Sequence, residues 1–540
     1  MAHFDILIRN GTLLDGTGAP GVTGSVGITG DTIARVGADT GDRGQVEIDA
    51  AGFAVAPGFI NMLSWSNEAL IHDGRSQSDI RQGVTLEVLG EGHSMGPWND
   101  AIKREQRDQQ GDVTYNIEWT TLDEYLEFLI RRGVSPNVAS FVGATTVREH
   151  EIGYENRPPT ADELHRMQEL VRHAMREGAV GVSSALAYSP AAYAGTGELV
   201  ALAAAAAEFD GLYASHIRNE ADHLLDAFDE FLTTARRSGA RAEVYHVKAA
   251  GKANWNKLER LLERIEAARA EGLAITADAY PYHASSSGLD ATMPPWVQEG
   301  GHQAWINRLK GPMVRDRVCR EMGSPSTDWD NFYTSAGGPE NIVLVGFKTE
   351  RLKPLAGRTL AAVAAERGTP PEETAIDLVV EDNANVAAAF FSMSEDNVRR
   401  KIRTPWISFC SDAQSIAAEG VFLKRSPHPR TYGSFARILG RYVRDEQLIS
   451  LEEAVRRLSW LPACNLKIRR RGRLAEGYFA DVVVFDPATI QDRATFDKPH
   501  QYAVGVQDVL VNGVPVIRDG DHTGATPGRV VRGPGWQGKP

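Results

Sequence analysis

From about residue 59 to residue 464 the chain repeats one unit, a short apolar run followed by a helix-length stretch. The runs include "NVASFVG" (137–143), "AVGVSSAL" (179–186), "GLYASHI" (211–217), "AEVYHV" (242–247) and "LAITADAY" (273–280). Between them, "ADELHRMQELVRHAMREG" (161–178) and "NKLERLLERIEAARAEG" (256–272) carry apolar residues at three-and-four spacing and close on glycine, the favoured residue just past a helix end. Repeated strand–helix units imply a parallel sheet, and this many of them favour a closed ring over an open sheet. The expected fold is therefore α/β, a TIM-like (β/α)8 barrel over residues 59–464. Its chemistry should sit where strands end and loops begin.

The two chain ends read differently. "FDILIRNGTLLD" and "GSVGITGDTIARVG" near the start, and "GYFADVVVFDP" (477–487) and "VQDVLVNGVPVIRDG" (506–520) near the end, are strands broken by turn residues, with Asn512-Gly513 as a hairpin turn. We expect a small β-sandwich domain built from residues 1–58 plus 465–540. Residues 290–345, rich in Trp and Pro, break the barrel rhythm and are expected to form an insertion or lid over its mouth.

Composition excludes several functions. A formal net charge of −13 argues against nucleic acid, which needs a basic footprint. The basic run "KIRRRGR" (467–473) is isolated and reads as a solvated turn. Cys319, Cys410 and Cys464 form no CxxC pair, which fits a reducing compartment. No signal peptide and no stretch of ~18 apolar residues is visible, so no membrane partner and a cytoplasmic location are expected. A homo-oligomer is compatible with the sequence.

The sharpest chemical signal is a pair of strand-end histidines. His216 ends "GLYASHIRNE" and His246 ends "AEVYHVKAAG", one strand–helix unit apart. One such histidine is usually structural; two on successive strands put imidazoles side by side, as a metal requires. Asp412 in "ISFCSDA" ends a late apolar run and reads as general base or second ligand, although alone it could be a helix cap. In "VTLEVLGEGHSMGP" (84–97), Glu91 lies between two glycines that let the backbone bend, either over the barrel mouth or in a surface turn. His93 is a rival ligand further into that loop.

"LYASHIRNEADHLLDAFDE", "HVKAAGKANWNKLERLLERIEAA", "ITADAYPYHASSS", "PHPRTYGSFARILGRYVRD" and "GRLAEGYFADVVVFDPATI" resemble segments of the D-aminoacylases (N-acyl-D-amino-acid deacylases) of the amidohydrolase superfamily, over nearly the whole chain. The resemblance implies that His216 and His246 bind zinc and that Asp412 is the acid/base. The family's "NCGxSxAP" loop supplies a bridging cysteine; setting "SMGP" (94–97) on its tail leaves Glu91 at the cysteine's place, with one residue deleted. The family pattern PGFIDxHxH is met from Pro57 to Ile60 but holds Leu63 and Trp65 where the histidines belong, and Ala144 follows Gly143 where the family has histidine.

A hard carboxylate in place of a soft thiolate still suits zinc beside two imidazoles. Glu91, His216, His246 and a nearby Asp412 resemble the one-metal set of N-acetylglucosamine-6-phosphate deacetylases. The cofactor expected is one divalent ion, zinc by preference. The substrate expected is a small amide, an N-acyl (D-)amino acid or related N-acyl compound, with Asp412 taking a proton from the attacking water. By the same resemblance Tyr188, Lys248, Tyr282 and Arg430 face the substrate, Lys248 and Arg430 as carboxylate binders. Trp65 and Leu63 make one wall apolar, with Trp65 as a stacking surface. Two alternatives stand: hydrolysis of a cyclic, carbamoyl or formyl amide, and a metal-free barrel kept as a binding protein.

Overall fold

The computed structural model describes residues 2–325 and 328–538. Eight parallel strands follow one another around its centre: β1 (Phe59–Asn61), β2 (Val84–Leu89), β3 (137–143, interrupted at Phe141), β4 (Gly181–Ala185), β5 (Leu212–His216), β6 (Arg241–Val244), β7 (Ile275–Ala279) and β8 (Ile407–Phe409). Each is hydrogen-bonded to the next. The last seam, β8 to β1, is made beyond the strand ends. There Asp412 donates its backbone N–H to the Leu63 carbonyl at 3.0 Å, and Trp65 donates its own to the Ala413 carbonyl at 2.9 Å. The ring is thus closed, as the repeated units require.

Strand periodicity decides which side chains reach the interior. On β5, Leu212 and Ala214 join an inner core with Ile60, Leu86, Val88, Phe141 and Tyr245. Tyr213 turns outward against Phe228, Phe231 and the helices. The same two-residue period sends His216 inward at the rim. The outer helices stop where the sequence indicates. Ala161–Glu177 opens on a Thr160–Glu163 capping box and ends at Gly178, φ 101°. Lys257–Ala270 is followed by Gly272, φ 94°.

Both chain ends contribute to one continuous nine-stranded sheet, with Val482–Phe485 paired to Ala54–Pro57. Val482 and Val484 pack with Ile8, Val26 and Ile33, while Val483 and Phe485 face Phe59, Tyr442 and Leu458. Asn512 (φ 50°) and Gly513 (φ 78°) make the expected turn, both in the left-handed region that a tight hairpin needs. One boundary needs correction. After Asp521–His522 the chain leaves this sheet, and residues 528–532 run along the barrel: Gly528 donates to Val134 O and Val531 to Val138 O, each at 2.8 Å. Open backbone groups beside β3 capture the tail, and no apolar periodicity announces that.

The insertion is also larger than expected. Ser285–Gly288, Ala387–Phe390 and Ile342–Gly346 form an antiparallel sheet with Ala387–Phe390 in the middle. Leu289, Val297, Trp305, Phe332, Phe347 and Leu378 build a separate core on it. It therefore spans roughly residues 285–390 rather than 290–345. "AAAF" has helix-forming composition, and only pairing on both edges makes it a strand.

Beneath the rim lies a buried polar knot. Asn61, where the family pattern has aspartate, gives its amide to Asp79 Oδ2 (2.8 Å), Glu87 Oε2 (3.1 Å) and Ser411 Oγ (2.7 Å), and accepts the Ser411 N–H at 2.9 Å. A carboxylate there would be a third beside Asp79 and Glu87; the amide instead supplies protons and holds the segment leading into Asp412. Burial, and then Glu87, push the Asp79 carboxyl well above its usual range, so it keeps its proton in the fold. The unfolded chain releases that proton near pH ~4. Above that pH the native state binds more protons, so wild-type stability falls as pH rises toward the raised folded value. Urea unfolding at a series of pH values should show this slope, and Asp79→Asn should flatten it.

Candidate metal centre and active site

Glu91 follows β2 between Gly90 (φ 97°) and Gly92 (φ 63°). A Cβ at Gly90 would lie 2.5 Å from the Phe141 carbonyl, and one at Gly92 2.6 Å from Ala185 Cβ. Ser183 on β4 pins this turn, accepting the Gly92 N–H at 3.0 Å and donating to the Gly90 carbonyl. Glu91 is thereby aimed across the rim at β5 and β6. Its Oε1 lies 3.2 Å from His216 Nδ1 and 3.0 Å from His246 Nε2, and the two rings are 4.6 Å apart. All three side chains are buried.

That spacing suits one metal ion. Ligand atoms ~2.0–2.1 Å from a tetrahedral zinc lie about 3.3 Å from each other, close to the two distances here. His216 Nε2 is buried without a hydrogen-bond partner, and Glu220 Oε2 stands 3.5 Å from it. The other Glu220 oxygen is 3.3 Å from His246 Nδ1. One carboxylate thus backs both imidazoles, as outer partners of metal-bound histidines do. The residues fit a metal. Without one, burial opposes ionisation of Glu91, but the two imidazoles overcome it and hold the carboxyl below its usual range. Burial and Lys248 likewise push His246 down, and the carboxylates of Asp412, Glu220 and Glu91 outweigh them, lifting it to about 10.

Glu91, His216, His246, Glu220, Lys248, Asp412 and Arg430 line one cavity of about 440 Å³. Tyr188 and Trp65 line it as well. Tyr188 meets the His216 ring edge-on at 5.1 Å and accepts a hydrogen bond from Ser287 at 3.1 Å. Asp412 and His246 occupy left-handed backbone, φ 49° and 35°, which is strained for residues other than glycine. The Asp278 carboxylate accepts the His246 N–H at 2.6 Å and helps to hold it there. Asp412 Oδ2 accepts from Arg430 Nη1 at 2.6 Å and Oδ1 from the Trp65 indole at 3.0 Å. Lys248 Nζ donates to both Glu220 oxygens, at 2.7 and 2.6 Å.

Two expectations change. His93 lines the cavity but turns its Nε2 to Glu149 at 3.0 Å, so it is no rival ligand. Tyr282 does not face the substrate cavity; it is buried behind His428, 5.3 Å ring to ring, under the Arg437 guanidinium. Tyr280, the neighbour of that turn, instead lies beneath Arg430 at 4.6 Å. Glu220, Asp278 and Ser183 were not singled out in the sequence. Glu220 stands in the "HIRNE" string, but its return toward both imidazoles depends on the loop. Asp330 of the insertion fixes that loop by accepting the Glu220 N–H at 2.8 Å. A second cavity, about 560 Å³, lies among Arg218, Trp296 and Trp329 and contains none of the metal-centre residues.

A model of the amidohydrolase family matches residues 349–517. The D-aminoacylase of Alcaligenes xylosoxydans xylosoxydans is 33% identical over 532 residues, 98% of this chain and 97% of its own. This chain belongs to the D-aminoacylase family. The N-acyl-D-glutamate deacylase of the same organism is 32% identical over 98% of this chain and 96% of that one. Among solved structures, the N-acyl-D-glutamate deacylase of Bordetella bronchiseptica, complexed with zinc and a phosphonate mimic of the tetrahedral intermediate, superposes with a TM-score of 0.82. It is 32% identical and covers 98% of this chain and 100% of its own. As a D-aminoacylase family member the chain is an amidohydrolase of non-peptide C–N bonds, on a TIM-like barrel with an added β domain.

Removing the first carboxylate should abolish tight metal binding. Glu91→Ala should retain well below one equivalent of zinc after dialysis, and Glu220→Gln should bind about 10–100-fold more weakly. Elemental analysis and chelator competition read both.

Proposed function

We propose that the protein removes the acyl group from N-acyl-D-amino acids, using one divalent metal ion, zinc by preference, held by Glu91, His216 and His246. The observation that carries this reading is the convergence of that carboxylate and two imidazoles in a cavity that also presents Asp412. One ion, rather than two, follows from Leu63 and Trp65, neither of which can ligate a metal. A zinc ion there would polarise the scissile carbonyl and acidify the attacking water, from a pKa of ~16 toward ~7.

Asp412 then takes the water's proton and returns it to the departing nitrogen. Its two donors keep the carboxylate oriented while lone pairs remain for that proton. The charges of the cavity favour an anionic substrate. With both imidazoles neutral, as ligation requires, the buried carboxylates of Glu91, Glu220 and Asp412 and the buried cations Lys248 and Arg430 sum to a net charge of −1. A divalent ion turns this to +1, which one substrate carboxylate neutralises. Arg430 lines the cavity, where its guanidinium can attract that carboxylate. Trp65, Phe332, Val345 and Ile416 supply apolar wall, and about 440 Å³ suits a small ligand. The relatives named for N-acyl-D-glutamate and N-acyl-D-aspartate deacylation support the substrate class.

The zinc-loaded protein should hydrolyse N-acetyl-D-amino acids and leave their L-enantiomers and cyclic amides largely untouched. Asp412→Asn should lower kcat by 10²–10⁴-fold, within the range for an acid/base, and keep its zinc. Turnover of cyclic amides alone would remove the deacylase assignment. Full activity without metal would remove the mechanism.

A further inference from the structure

The mechanism leaves open why a tryptophan stands in the segment that follows β1. Trp65 is only partly covered, 37% exposed, yet its indole N–H is directed at the Asp412 carboxylate, 3.0 Å from Oδ1. The two residues meet because the seam that closes the barrel sets them side by side. Asp412 N–H binds Leu63 O, and Trp65 N–H binds Ala413 O. Any lengthening of this seam would carry the indole away from the carboxylate.

We propose that Trp65 is a positioning residue for Asp412, and that its indole N–H keeps the acid/base carboxylate oriented through turnover. This rests on the assignment of Asp412 as acid/base. Asp412 has two holds, and they are unequal. Arg430 grips Oδ2 at 2.6 Å through Nη1, but its guanidinium also lines the cavity and its Nη2 reaches the Ser286 carbonyl at 3.4 Å. A substrate carboxylate drawn to the same guanidinium would share it with Asp412. The indole has one N–H and no acceptor, so it serves Asp412 alone. Being donor-only, it also cannot take the proton that Asp412 must carry; an imidazole at the same place could. The left-handed backbone of Asp412 makes such a hold useful, since a strained residue keeps its geometry only when its surroundings over-determine it.

Trp65→Phe, which keeps a ring and deletes the donor, is the deciding variant. Loss of the hydrogen bond that orients the reacting carboxylate should lower kcat by about tenfold or more. KM should stay within about twofold, because the ring still covers the cavity wall. Trp65→Leu should lose kcat to a similar degree and raise KM as well. Unchanged kcat in Trp65→Phe, or an effect confined to KM, would show that the residue is only wall. A second readout needs no turnover. In an NMR spectrum of the zinc-loaded protein, the indole N–H signal missing from Trp65→Phe identifies Trp65, and it should move upfield in Asp412→Ala. An unmoved signal overturns the proposal. If no amide is hydrolysed at all, the assigned function fails, whereas the indole signal still reports whether Trp65 holds Asp412.

Discussion

Two imidazoles and a carboxylate meeting at one oxygen, Glu91 Oε1, is the arrangement on which the rest of this protein depends. Burying a carboxylate beside two nitrogen ligands costs several kcal/mol unless a cation answers it. The fold around it supplies what that arrangement needs. Ser183 and two glycines aim Glu91, the two-residue strand period aims His216, and Asp278 holds the backbone of His246. Glu220 then backs both rings and is itself neutralised by Lys248. A single charge in this chain cannot be removed without leaving its neighbour buried and unanswered.

The insertion ties this centre to the cavity roof. Ser285–Gly288, Phe332, Val345 and Ala387 line the cavity together with the barrel's rim, and Asp330 holds the backbone of Glu220. The same segment that shapes the substrate space therefore steadies the carboxylate behind the imidazoles. A change in the insertion would reach the imidazoles by two routes, through Asp330 on Glu220 and through Ser287 on Tyr188, which packs on the His216 ring.

Much of the site was legible because it is local. His216 and His246 are readable as strand-end residues one unit apart, and Glu91 is readable through the glycines that flank it. Asp412 is legible only in combination with them. What escaped depends on contacts distant in sequence. Tyr282 was expected to face the substrate, but the bend at Pro281 puts it behind His428 and leaves Tyr280 beneath Arg430. Ala387–Phe390 has a composition that favours helix, and becomes a strand only through neighbours on both sides. The C-terminal tail carries no period at all and is placed by backbone groups of β3.

By itself the amino-acid sequence determined the parallel barrel, the drawing of both chain ends into one β domain, and the loss of the usual His-x-His pair. These follow from hydrophobic period, turn residues and ligand identity, which are properties of short windows. Only the tertiary structure decided that Lys248 answers Glu220, that Arg430 and Trp65 share Asp412, and that His93 turns away to Glu149. Side-chain partners are chosen by which loops the closed barrel brings within about 3 Å, and no local pattern encodes that distance.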